Sequence, residues 1–372
     1  MNMVFVLFLY IGWLVIILLA SSGKIIRKNQ ERYLIAGSVF LIALFAAWVV
    51  PKEMYDLFRH YKEIEIVKNS EIRFWDFVFH SSRITDANYR HAYSFNGMRF
   101  IISKCFPKET LPFCSVTICY GVLGYILQDL KKRGHFSNGY IGMSLLISSG
   151  FLPLLYIYSG IRNEIAMAII ALAVYLRIYK QLKLIPFTVL TGLAVTMHPL
   201  ALVAVPFVFL SRLRPGKAGI ILIICIPGLL YPLMEQFRFS KNDFLKYLGA
   251  KFYNYTFVHV YSQGRTFYYA AILLTFMVMV LSIIKIQQEK KEDQIFVNFL
   301  SWFSIFALAN IKSYQIMMRL PYLFGVLAPA IVYTLMRAKI YRGWKKIIPY
   351  GSMYGSALVG MFTIYQNFMW MV

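Results

Sequence analysis

Charge is scarce in this chain, and acidic charge is scarcest. Only 15% of its 372 residues are charged, with 16 Asp and Glu against 39 Lys and Arg. A soluble domain is about a quarter charged and about half apolar. Here 59% of residues are hydrophobic and the mean hydropathy is +0.60, and no polar stretch is long enough to bury a soluble core. The four cysteines (Cys105, Cys114, Cys119, Cys225) form no Cys-x-x-Cys pair, which supports neither a zinc site nor a disulfide framework. No two histidines have metal-ligand spacing, and Asp-x-Asp, the Walker glycine loop, Gly-x-Ser-x-Gly and His-Glu-x-x-His are all missing. Nucleotide-dependent chemistry therefore has no apparatus, and no metal or cofactor is expected. No internal repeat stands out, so the inverted repeats of many transporters are missing too.

What the chain has is apolar blocks, each long enough to cross hydrocarbon at about 1.5 Å per residue. They fall near 3–20, 33–50, 110–128, 140–158, 162–180, 184–197, 200–210, 218–234, 267–285, 295–311, 320–336 and 347–369. The pattern predicts an all-α polytopic integral membrane protein with about 12 transmembrane or half-membrane helices. Residues 1–372 read as one membrane domain. The first block lacks a basic start and is long for a signal peptide, so it reads as a retained helix.

Six short connections, "SSGKIIRKNQER", "KKRGHFSNG", "RIYKQLK", "SRLRPGK", "KIQQEKKEDQ" and "RAKIYRGWKK", hold 21 of the 39 Lys and Arg. The positive-inside rule makes them cytoplasmic. Both termini and two long loops, at about 51–109 and 235–266, then lie outside. Between "RIYKQLK" and "SRLRPGK" only residues 184–210 remain, long for one span and short for two. The stretch breaks at His198-Pro199, which predicts two short helices meeting near Met197–Leu200. Irregular backbone at membrane depth survives where it is buried in protein or lines a cavity, which puts His198 near an outward-facing cavity.

This orientation puts several polar residues at the outer ends of helices. Arg162, in "YSGIRNEIAM", opens the helix at 162–180, where the dipole favours an anion and a cation is unfavourable unless an anion joins it. Glu164 is the resident partner expected to orient it. Arg319, before Leu320-Pro321, is read as the start of an inward-running helix with Pro321 in its first turn. Arg265 precedes the helix at 267. Each arginine alone is accounted for as an interface anchor; three together read as an anion-binding rim, since guanidinium binds phosphate oxygens bidentately. In the first outer loop Tyr55, Phe58 and Tyr61 share a helix face, with Asp56, Arg59 and His60 beside them. His198 and Asp56 are the candidate general bases. Tyr61, Trp75, Tyr253 and Tyr255 are outer-loop aromatics, and an aromatic interface belt accounts for any one of them.

The run "YSGIRNEIAMAIIALAVYLRIYK" followed by "VTMHPLALVAVPFVFL" resembles the Gly-Ile-Arg … His segment of EpsG-like membrane proteins, which belong with the Wzy-type polymerases of O-antigen and exopolysaccharide. "MYDLFRHY" and the late "RLPYLF" lie in the order that family has. Two positions depart from it: Asn163 stands where Gln is usual, and Pro199 follows His198. The resemblance implies a GT-C-like architecture and a metal-independent membrane glycosyltransferase of the bacterial inner membrane, with its active site facing the periplasm. Its substrates would be undecaprenyl-diphosphate-linked oligosaccharides, as donor and as acceptor, in lipopolysaccharide or exopolysaccharide synthesis. Arg162, Arg319 and Arg265 would hold the donor diphosphate, His198 or Asp56 would be the base, and Tyr61, Trp75, Tyr253 and Tyr255 would stack on sugar rings. Membrane lipid and a chain-length regulator are the further candidate partners, and nucleic acid is not. The competing readings are a lipid-linked oligosaccharide flippase or transporter, which needs charge deep within spans, and a related single-unit glycosyltransferase or ligase.

Overall fold

The computed structural model describes residues 8–9, 12–13, 15–16, 19, 30–51, 53, 56–85, 89–134, 139–151, 157, 160–257, 265–283, 290–311 and 313–337. Most of the first expected span, all of the last, Tyr55, and the side chains of Tyr255 and Arg265 lie outside the described residues. Among the described residues the regular structure is helical, with no strand. In chain order the α-helices are α1 (Glu31–Trp48), α2 (Asp56–Lys68), α3 (Phe74–His80), α4 (Tyr93–Cys105), α5 (Thr110–Gly134), α6 (Gly139–Phe151), α7 (Ile161–Tyr179) and α8 (Leu184–Met197). After a 3₁₀ turn at Pro199–Val203 come α9 (Ala204–Leu210), α10 (Lys217–Phe237), α11 (Asp243–Phe257), α12 (Arg265–Ile283), α13 (Lys291–Ala309), α14 (Tyr314–Arg319), α15 (Tyr322–Val326) and α16 (Ala328–Arg337).

Helix α7 is the axis of the bundle. It is buried on nearly every face, as a helix apolar all round must be. Ala166, Ala168, Ala171 and Ala173 let its neighbours α5 and α8 approach closely. It stops where Gln181 turns to φ 52°, which returns the Leu182 N–H to the Leu176 carbonyl at 3.1 Å. Lipid-facing surface shows on α8 and α10, where Ile185, Val189, Ile221, Leu222 and Leu229 are exposed. Thr110–Gly134 and Lys217–Phe237 are long and apolar enough to cross a membrane, and Gln315–Val326 with Ala328–Thr334, bent by 63°, make a third if taken as one broken span. With the shorter apolar helices this is a membrane protein; the described helices do not reach the expected count of twelve spans.

The two ends of the bundle differ as the loop charges require. At one end Asp129 gathers Arg133, Lys180 and the Tyr175 hydroxyl, while Arg133 donates to the Tyr179 carbonyl at 3.2 Å. At that end too, Asn298 and Trp302 donate to the carbonyls of Ser211 and Leu213, at 2.9 and 3.0 Å. The basic connections after α5, α7 and α9 therefore share one end. At the other end α2, α3 and α4 form a helical cap that packs on α8, with Ser94 and Thr196 joined through their hydroxyls at 2.6 Å. The two expected outer loops meet there. Arg90 pairs with Asp243 at 2.8 Å, and the His91 ring lies against Phe244 and Tyr247.

Between α7 and α9 the chain behaves as the break at His198-Pro199 requires: α8 ends at Met197, and His198 is extended (φ −153°, ψ 125°) before the 3₁₀ turn. The expectation for Arg319 is corrected. It ends the short helix α14 rather than opening an inward helix, because a helical turn forms ahead of it at Tyr314; a cation suits a helix C-terminus. Pro321 is the N-cap of α15, and the expected single helix over 320–336 bends at Leu327.

Two tests follow from the packing. A cysteine introduced at Lys131 should resist an impermeant thiol reagent in intact cells, and one at Asn242 should label; the opposite pattern contradicts the orientation. At Gly249 a Cβ would meet backbone atoms of Arg238, Met234 and Phe237 at 2.4–2.7 Å, whereas at Gly192 it would meet nothing within 4 Å. Gly249→Ala should therefore destabilise by about 1–3 kcal/mol, and Gly192→Ala should be neutral or slightly stabilising, both read by thermal unfolding of the purified protein.

Candidate active site

Three residues before the second turn of α7, the chain sets Gly160 as N-cap and Arg162 in the first turn. The Arg162 side chain leaves the bundle and reaches into the cap, where its Cζ lies 4.3 Å from the Tyr89 ring centroid and 5.6 Å from that of Phe95. Arg99 comes to the same rings from α4, at 4.3 and 5.0 Å, and Arg59 comes from α2 at 5.7 Å from Tyr89. Guanidinium over an aromatic face is attractive by about 0.5–2 kcal/mol, most where water is excluded. Tyr89 and Phe95 are wholly buried.

The cap is amphipathic, with polar side chains in seats the periodicity reserves for apolar ones. In α2 the buried face carries Leu57, His60, Ile64 and Val67 with Glu63; in α4 it carries Phe95, Asn96, Arg99 and Ile102. A buried charge persists only when paired and hydrogen-bonded. Arg99 is ion-paired with Glu63 and donates to Asn96 Oδ1 at 2.8 Å. Asn96 in turn donates to the carbonyls of Tyr89 and Val78 and to the Ser81 hydroxyl, at 3.0, 3.2 and 2.9 Å, which pins the loop that presents Tyr89. The Tyr89 hydroxyl lies 3.4 Å from His60 Nδ1. Burial, aided by the neighbouring Arg99, holds His60 well below the usual histidine range, so the ring is neutral; burial pushes the Tyr89 phenol up to about 12.

On the bundle side of Arg162 sits His198, buried at the break. Its Nδ1 accepts the Leu200 N–H at 3.3 Å, so the proton of the neutral ring is on Nε2. The charges of Arg162, Arg319 and Lys251 all act on this ring. They come from α7, α14 and α11. Glu164 is buried and is acted on by Arg319. That corrects its expected role: residues two apart on a helix do not face each other, and neither Glu164 carboxylate oxygen has a hydrogen-bond partner, so Glu164 does not hold Arg162 in place.

The structure thus brings Arg162, His198, Arg319 and Glu164 into one neighbourhood and leaves other candidates outside it. Asp56 opens α2, is exposed, and pairs with Arg59 at 3.1 Å on the rim. Trp75 is exposed on α3 and stacks on Phe79. The face of Tyr253 is covered by Arg238, whose Cζ is 4.1 Å from the ring centroid. Tyr61 lines a separate cavity beside α2. Arg265 is the first residue of α12. Sequence reasoning missed Tyr89, Glu63, Arg99 and Lys251; the available signal was an acid and a base each occupying a core seat of a short amphipathic helix. Among the described residues no three His, Cys, Asp or Glu side chains gather as a metal site.

A family model described as the EpsG family matches residues 73–370. No curated protein and no solved structure matches the chain.

The ring of Tyr89 is the testable element of this geometry. Tyr89→Leu removes the surface that three guanidinium groups face and should destabilise the protein by about 2 kcal/mol or more. Tyr89→Phe keeps the ring, loses only the hydroxyl beside His60, and should stay within about 1 kcal/mol of wild type. Thermal unfolding of the three proteins checks this; equal losses for Phe and Leu would contradict it.

Proposed function

The chain belongs to the EpsG family, and from that premise and the cations around His198 we propose that it is a membrane glycosyltransferase that polymerises lipid-linked oligosaccharides. The donor is a glycan on undecaprenyl diphosphate; the acceptor is the non-reducing sugar of a second lipid-linked unit. The product is an O-antigen or exopolysaccharide, made at the outer face of a bacterial inner membrane by a chain of about twelve spans in a GT-C-like arrangement. The observation that supports this reading is Arg162 held at the outer end of α7 against the Tyr89 ring at 4.3 Å, with the buried His198 at the break within the field of Arg162, Arg319 and Lys251.

In the reaction the acceptor hydroxyl oxygen forms a bond to the anomeric carbon of the donor. The bond from that carbon to the diphosphate oxygen breaks, and its electron pair leaves with undecaprenyl diphosphate. Negative charge grows on the leaving oxygen, and fixed donors aimed at it stabilise the transition state without having to reorganise. Arg162 and Arg319 supply guanidinium forks, and His198 presents its Nε2–H as a hydrogen-bond donor, while Arg265 at the start of α12 is a further candidate. The acceptor proton passes to a carboxylate, for which Asp56 on the rim is the candidate. Glu164 is buried within the field of Arg319, with neither carboxylate oxygen hydrogen-bonded. The sequence has no Asp-x-Asp pair to hold a divalent ion, and the guanidinium groups take its place in this scheme.

Arg162 is the decisive residue. Lysine keeps the charge but loses the planar fork and the stacked contact with Tyr89. Arg162→Lys and Arg162→Ala should each reach the membrane at normal abundance and lower the polymerisation rate by about a hundredfold or more, the effect of removing one charge-stabilising donor worth about 3–4 kcal/mol. The assay is the ladder formed from lipid-linked repeat units by purified protein. A wild-type ladder from the lysine variant would make Arg162 an interface anchor. A wild-type protein that moves lipid-linked units across a bilayer without lengthening them would favour the flippase reading, and addition of a single unit would favour the ligase.

A further inference from the structure

Beside α2, on a different flank from His60 and Tyr89, lies a cavity of about 440 Å³. That volume falls within the roughly 300–1,000 Å³ of small-ligand sites. Its walls are the outer end of α1 and the turn after it, one face of α2, and the start of the stretch leading into α5. All its lining residues except Lys108 and Glu109 precede residue 73, where the family match begins. The cavity is therefore largely a property of this chain's own N-terminal part.

Three observations bear on what it takes. The Tyr61 side chain lines the cavity and is only 7% exposed, and its buried hydroxyl has no hydrogen-bond partner. Unsatisfied buried polar groups are rare and call for an explanation. The charges on the wall balance: Lys62 and Lys108 stand against Glu65 and Glu109, with Lys108 already paired to Glu65 and Lys62 lying over the Phe58 ring at 4.5 Å. The remaining surface is apolar, from the aliphatic Ala47, Val49, Val50 and Pro51 and the aromatic Trp48, Phe58 and Tyr61, with Lys108 Nζ 5.4 Å from the Tyr61 ring centroid. A phosphate finds no net positive charge here. An acyl chain leaves the Tyr61 hydroxyl unpaired. A sugar ring offers both an apolar face for the aliphatic and aromatic wall and hydroxyls at its edge for Tyr61 and the two carboxylates.

We propose that this cavity is a subsite for an uncharged sugar unit of the glycan, separate from the arginine cluster. It rests on the proposed function only in naming a glycan as the substrate at hand. The placement of a sugar here, at the outer end of α1, gives the chain a hold on a unit remote from the bond being made.

The test uses full-length protein in nanodiscs and soluble oligosaccharides of one and of three repeat units, released from the polysaccharide of the cells that make the protein. Binding is read by saturation-transfer NMR and titrated. Wild type should bind the fragments. Tyr61→Phe, which removes one hydroxyl and keeps the ring, should weaken binding about tenfold, the loss of one buried hydrogen bond. Ala47→Phe, which fills the cavity, should abolish binding, and Arg162→Ala should leave it unchanged. Thermal unfolding confirms that each variant is folded. Equal binding by wild type, Tyr61→Phe and Ala47→Phe would overturn the proposal. So would loss of binding in Arg162→Ala alone, which would place the sugar at the arginine cluster, or the absence of transfer to either fragment. Failure of the polymerase reading is seen separately, as a wild-type protein that forms no ladder while still binding fragments at this cavity.

Discussion

Two guanidinium groups, Arg99 and Arg162, have their Cζ atoms 4.3 Å from the centroid of one buried tyrosine ring. Like charges at such range repel, and burying them is expensive unless each has an opposite charge or a polarisable partner. Glu63 supplies the opposite charge for Arg99, and the Tyr89 ring supplies the polarisable surface for both. The consequence runs in two directions. The cap cannot leave the bundle without stripping Arg162 of its aromatic seat, and Arg162 cannot turn back toward the bilayer interface without leaving that seat. An arginine that an interface would leave mobile is held at one place by an element more than sixty residues away in sequence.

The second constraint is the break at His198. A continuous helix over 184–210 would carry its residues past the outer end of the bundle; the extended residue and the 3₁₀ turn instead bring a histidine to the level of Arg162 and Arg319. The Leu200 N–H occupies Nδ1, which leaves Nε2 as the donor. Around this point the charges of Arg162, Arg319 and Lys251 act, and the buried Glu164 lies within the field of Arg319. Three cations and one carboxylate leave a balance suited to a diphosphate. In the proposed scheme these side chains, from α7, α11 and α14, make an anion seat at the break.

Much of this was legible in the sequence where a local rule applied. The basic connections marked one end of the bundle, and the structure gathers those after α5, α7 and α9 there. Pro199 and the short interval between two basic loops marked the break at His198. Arg162 stood out because a charge opens an otherwise apolar helix. The failures came where the rule was not local or was not applied. Glu164 was paired with Arg162 although a spacing of two on a helix separates them. The turn at Tyr314 was hidden in the polar run "NIKSYQ", so Arg319 was read as a helix start. The pairing of Glu63 with Arg99 joins residues 36 apart in sequence, and Lys251 comes from the other outer loop. No periodicity carries such information, because each partner is chosen by the packing of whole helices.

The central claim is that one anion seat at the outer end of α7 holds the diphosphate of the lipid carrier. A structure of the protein with undecaprenyl diphosphate bound tests it most directly. The account predicts the diphosphate between the guanidinium groups of Arg162 and Arg319, within hydrogen-bond distance of His198 Nε2, with Arg162 still against Tyr89. A diphosphate seated elsewhere, with Arg162 still against Tyr89 and out of its reach, would contradict it.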